Sequence, residues 1–217
     1  MTAGEVKKAW RRSLSRALKE RGFTHPEEDI YRRTTSTGFE GVLLRLRAYG
    51  RGETAVSILS MGPQVVLTDV EEATAALTGE PRNPYASTWV EPMADVLEAA
   101  GSYSYDQERV ARGLYILDSV EKIPAGTTAV LDVLDTFAEP WFAALRDPHI
   151  LLQRRLGSGV SRLPEPAVKT AILAHQLGDT ATVRRLVESC DQRRANPVGG
   201  TEERYRIARD KIATLLA

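Results

Sequence analysis

The amino-acid sequence predicts an α+β fold in which helices pack on a small antiparallel sheet of about four strands, followed by an α-helical C-terminal extension. Three observations carry this. Residues 30–61 alternate apolar and polar side chains at period two, as half-buried strands do. Apolar residues on either side of that stretch recur every three or four positions, the spacing of a helix face. Beyond Gly157 only helical patterns remain.

A chain of 217 residues, 42% hydrophobic and 27% charged, is long enough to bury a core. Cys190 is the single cysteine, so an intrachain disulfide is excluded, and the N-terminal residues lack the apolar run of a signal peptide or membrane span. Both point to a reducing cytoplasm and away from a membrane. Arginine supplies 23 of the 29 basic residues, a bias that fits a high-GC bacterial genome. The net charge is zero but segregated, with about +5 in residues 1–21, −10 in 22–145 and +5 in 146–217.

Taken in order, Val6, Trp10, Leu14 and Leu18 form the apolar stripe of a first helix. Gly22 ends it, Phe23 supplies the apolar contact after the cap, and Pro26 prevents resumption. Glu27 to Asp29 form a polar turn before a strand beginning "IYRR". In "GVLLRLRAYG", Val42, Leu44, Leu46 and Ala48 alternate with Leu43, Arg45, Arg47 and Tyr49, one face buried and one wet. "GRGET" is a turn, and "AVSILSM" completes a three-strand meander that Gly62 and Pro63 interrupt.

Thr68 caps a short helix through Leu77, with Asp69, Glu71 and Glu72 at its positive end. A loop follows, then a helix over 90–99, and a fourth strand around Leu114 and Ile116. Thr127 or Thr128 caps a strongly apolar helix carrying Val130, Leu134, Phe137, Trp141, Phe142 and Leu145, which Pro140 should kink or break. Asp147 and Pro148 open another helix that Gly157 stops. The division is therefore an α+β domain over 1–156 and, over 157–217, a helical hairpin joined at "LGDT" plus a terminal helix.

The helix ending "ERGF", the strand "IYRR" and the late "FAEPWFAALRD" together resemble the bacterial family called domain of unknown function 4304, over about residues 5–155. Gly22, Phe23, Tyr31, Arg32, Pro140, Trp141 and Phe142 carry the resemblance. It implies helices packed against a small antiparallel sheet, and it brings neither catalytic residues nor an activity.

His25 beside Glu27, Glu28 and Asp29 lacks the spaced ligands of a metal site and reads as a solvated turn. His149 opens a helix, and His175 shares a face with Val168, Ala171 and Ile172, the setting of a core or interface histidine. Cys190 aligns with Val183, Leu186 and Val187, which buries rather than activates its thiol. No nucleophile elbow, phosphate loop, paired Cys-x-x-Cys or His-Glu-x-x-His occurs, so neither a catalytic set, a metal nor a cofactor is expected.

The leading reading is a non-enzymatic interaction module for an unidentified protein partner, with an immunity or toxin-neutralising factor as its specific form. Asp132, Asp135 and Glu139 in the acidic middle and Arg184 and Arg185 in the basic tail are the expected contacts. An alternative from another class is a divalent-metal hydrolase or nuclease that uses the Asp132, Asp135 and Glu139 stripe. Another is a nucleic-acid module that uses Lys8, Arg11, Arg12 and Lys19, Arg154 with Arg155, or Arg184 with Arg185; scarce aromatic residues count against it.

Overall fold

A computed structural model describes residues 2–24, 29–49, 55–81, 87–159, 162–195 and 201–217. It is α+β, and its contacts divide it into two compact units. The first comprises 1–65 and 90–143; the second comprises 66–89 and 144–217. The units therefore interleave along the chain instead of meeting at the linker after Gly157.

The first unit begins with α1 (Ala3–Glu20), opened by a capping box in which the Thr2 hydroxyl accepts from the Glu5 amide and the Glu5 carboxylate accepts from the Thr2 amide. Val6, Trp10, Leu14 and Leu18 are all buried, each contributing roughly 1.5–3 kcal/mol of transfer free energy. Gly22, at φ +83°, lets the Phe23 amide donate to Leu18 and the Gly22 amide to Lys19, closing the helix in the motif expected from its sequence.

The chain then forms β1 (Ile30–Thr34), β2 (Gly38–Ala48) and β3 (Val56–Leu67). β1 and β2 are antiparallel, with Tyr31 opposite Val42 and Arg33 opposite Glu40. β3 runs through Gly62 and Pro63, where an interruption was expected. The Pro63 carbonyl accepts the Glu91 amide, although the proline has no amide of its own to donate to the ladder. A Cβ on Gly62 would lie 2.6 Å from the Glu91 carbonyl oxygen, so the glycine permits that close approach.

The strand order is β1-β2-β3-β4, where β4 is Trp89–Val90, and β5 (Ile116–Leu117) also pairs with β3. Val90, expected at the start of a helix, lies in β4. The helix, α3, is Met93–Ala100, with Pro92 before it and Met93, Val96 and Leu97 buried. The fourth strand expected around Leu114 and Ile116 shrinks to two residues, and it is Leu117 that faces the core. A short helix, α4 (Tyr105–Ala111), precedes it.

The strongly apolar helix starts earlier than its threonines suggested. α5 is Ile123–Val133 with Pro124 in its first turn, and Thr127 is buried inside it, 2.9 Å from the Ser13 hydroxyl. A π-helical turn, Leu134–Ala138, leads into α6 (Glu139–Leu145). The widened turn immediately before Pro140 absorbs the kink, and Leu134, Phe137, Trp141, Phe142 and Leu145 stay buried.

The second unit contains α2 (Thr68–Thr78), α7 (Pro148–Gly157), α8 (Pro164–Gln176), α9 (Thr180–Ala195) and α10 (Glu202–Ala213), the last followed by a 3₁₀ turn. α10 packs on both α8 and α9, and α2 packs on α8. Asp147 caps α7 by accepting the His149 amide at 2.8 Å, and Asp179 caps the hairpin by accepting the Thr182 amide at 2.9 Å.

Candidate functional site

Strand alternation gives the sheet of the first unit two faces of different chemistry. On one face, Val42, Leu44, Leu46, Val56, Ile58 and Leu117 are buried, and α1 packs against β2. Arg33 belongs to this face. Its guanidinium donates to Glu40 at 2.5 and 2.9 Å and to Glu139 at 2.8 Å through two nitrogens, and it lies 4.6 Å from the centre of the Phe23 ring. Desolvation pulls its pKa down, but the bonds to Glu139 and Glu40 outweigh this and hold it above the ordinary arginine value. Glu40 is only 2% exposed, and the guanidinium offsets part of the cost of burying its charge.

The opposite face is open in part, although Ser57 on it is buried. Leu59, Leu114 and Ile116 are 53%, 59% and 46% exposed. They share a face because Ser57 pairs with Ile116, and Leu59 and Leu114 each stand two residues away along their own segments. Arg45 and Arg47 of β2 are exposed on that face too, since their neighbours Leu44 and Leu46 point into the core. Among the described residues neither arginine forms an ion pair; Arg47 lies 5.7 Å from the centre of the Tyr49 ring. Arg32, on the same face of β1, lies 4.6 Å from the centre of the Phe39 ring. The result is an exposed aliphatic group beside Arg45 and Arg47, which pair with no carboxylate among the described residues. Such a surface can lose water to an apolar partner surface while its guanidinium groups meet carboxylates.

The residues expected as contacts lie elsewhere and apart. Asp135 accepts two bonds from Arg21, at 2.5 and 2.7 Å, Glu139 is engaged by Arg33, and Asp132 accepts the Gln107 side-chain amide at 2.7 Å. Each acid of the stripe thus has its own partner within the first unit. Among the described residues no group of three metal-ligating side chains forms. Arg184 and Arg185 are exposed on α9, where Arg185 donates to the Thr182 hydroxyl at 2.6 Å.

Of the other candidate groups, His25, Glu27 and Glu28 lie outside the described residues, and Asp29 pairs with Arg11. His175, expected as a core or interface histidine, is exposed and so is not in the core, and His149 is exposed as well. Cys190 is buried, and desolvation pushes its thiol up to about 11. Arg155, expected as a phosphate contact beside Arg154, is 3% exposed and serves the interior of the second unit.

Sequence reasoning assigned Arg45 and Arg47 to a wet face but missed Leu59, Leu114 and Ile116. All three fall in apolar runs that the sequence assigns to strands, and alternation alone does not say which apolar phase is covered. Comparison with protein-family models, with curated proteins and with solved structures finds no match for this chain.

Proposed function

We propose that this chain is a recognition module that binds another protein through the open face of its sheet. Leu59, Leu114 and Ile116 form the apolar centre of the contact, and Arg45 and Arg47 select an acidic partner surface. The observation that carries this reading is the aliphatic cluster exposed beside two arginines that form no ion pair among the described residues. Interfaces place apolar side chains at a dehydrated centre and charges at the rim, where they set partner choice and association rate.

The specific form we propose is a toxin-neutralising factor of the bacterial cytoplasm, for which a basic face suited to an acidic protein is the support. Membership of the family called domain of unknown function 4304 is part of the same proposal, resting on the residues around Gly22, Tyr31 and Trp141.

The test is a photo-crosslinking side chain at position 114 in the intact chain, in its native cell, with a second set at position 163 as the control. Capture of one recurring protein at 114 but not at 163, lost in Arg45→Glu/Arg47→Glu, is the expected result. Equal capture at both positions, or indifference to the charge reversals, would refute the reading.

A second reading has its own observation. Lys8, Arg12, Arg16 and Lys19 are exposed along α1 without an ion pair among the described residues, at the three- and four-residue spacing of one helix face. This stripe supports nucleic-acid binding. It predicts affinity for a single-stranded oligonucleotide that falls steeply with salt and weakens on Arg12→Ala/Arg16→Ala; salt-independent affinity would discard it.

A further inference from the structure

The second unit holds a cavity of about 320 Å³ where α2, α8 and α10 meet. Its walls are largely apolar, with Ala75, Pro81, Val168, Ile207 and Ala208 among the lining residues, and Lys169 and Lys211 line it too. Volumes of this order are those of small-molecule sites, in which a few polar groups orient a mostly apolar ligand.

Three carboxylates, Glu71, Glu80 and Glu165, and three cations, Lys169, Arg204 and Lys211, line the cavity. Glu71, 4% exposed, accepts the Thr88 hydroxyl at 2.9 Å and the Lys169 ammonium at 2.7 Å. Behind Lys169, the guanidinium of Arg155 donates to the Thr170 hydroxyl and to the carbonyls of Thr88 and Pro166, and it lies 5.7 Å from the centre of the Trp89 ring. Among the described residues no carboxylate stands within ion-pair distance of Arg155. One buried carboxylate therefore answers two cations. At the outer edge Glu165 is held by Arg204 at 2.7 Å.

Lys211 adds a third cation. Its ammonium donates to the Thr78 carbonyl at the end of α2, at 3.2 Å, and makes no ion pair among the described residues. An ammonium has three protons to donate, so this single bond leaves two for a ligand. Lys169, bonded to Glu71 and to the Ser87 carbonyl, keeps one. The cavity thus joins apolar walls to two ammonium groups with unused donors.

We propose that this cavity binds a small amphipathic anion, an unbranched apolar chain ending in a single negatively charged head group, with the head at Lys211 and Lys169 and the chain along Val168, Ile207 and Ala208. Charge complementarity selects the head, and the apolar walls select the chain. The site is separate from the open sheet face, so its failure would leave the recognition reading standing.

Decanoate serves as the probe, titrated into the full chain below its micelle concentration by calorimetry, with decanol as the uncharged control. The expected result is saturable one-to-one binding of decanoate, with decanol weaker by about tenfold, the size of a charge-assisted hydrogen bond. Lys211→Met should weaken decanoate by about the same factor and leave decanol unchanged. Val168→Trp should abolish binding of both by filling the cavity, and Ala75→Phe on the α2 wall does the same if the tryptophan variant fails to fold. Equal affinity for decanoate and decanol, undiminished binding in a folded cavity-filling variant, or no saturable binding would each overturn the proposal.

Discussion

The two units each draw an arginine out of water, Arg33 in the first only in part and Arg155 in the second almost fully, and they compensate it differently. Arg33 meets two carboxylates and two nearby aromatic rings, Phe23 and Phe142. Arg155 meets a hydroxyl and two carbonyls, and burial pulls its pKa down to about 10 against the opposing pull of Glu71. A cation matched by carboxylates is a structural tie. One solvated only by neutral oxygens leaves a positive field in its surroundings, and the cavity of the second unit lies nearby.

The largest expected effect breaks this comparison directly. Arg33→Met breaks the ion pairs to the buried Glu40 and to Glu139 and should cost about 3–5 kcal/mol of stability in chemical denaturation. Arg155→Met leaves no carboxylate stranded and relieves a desolvated charge, so it should cost less than about 2 kcal/mol despite its lost hydrogen bonds. Equal losses would erase the distinction between the two arginines.

Next in size is Gly62→Ala. Its methyl group would meet the Glu91 carbonyl at 2.6 Å, and the strain should cost roughly 1–3 kcal/mol and raise hydrogen exchange of the Glu91 amide. Unchanged exchange there would show that β4 does not need the close approach. Asp179→Ala removes the cap of α9 and should lower stability by about 1 kcal/mol, read as a shift in denaturation midpoint at constant slope. Smallest of all, Arg45→Ala/Arg47→Ala should change stability by no more than about 0.5 kcal/mol, since both side chains are exposed. A larger loss would make them part of the fold and not of a contact surface.

Much of the architecture was legible in residue order. The α1 stripe, its Gly22 and Phe23 ending, the three-strand meander and the Asp147 cap all rest on contacts between residues close in sequence, where local pattern and final structure agree. α4 carried a readable signal that went unused, because Ser104 and Gln107 are spaced as a capping box and form one. β4 carried none, being two residues recruited by pairing with a distant strand. The candidate contacts were less legible. Asp135 and Glu139 looked available on an acidic helix face, yet Arg21 and Arg33, more than a hundred positions away, engage them.

Period and capping chemistry were enough to settle most of the helices and the three long strands, because those choices are made over a few residues. Which arginine ends beside a carboxylate and which remains exposed, and where three helices leave a cavity, depended on groups far apart in the chain. Side-chain type records a capacity for charge pairing or burial, and only the packed fold supplies or withholds the partner that uses it.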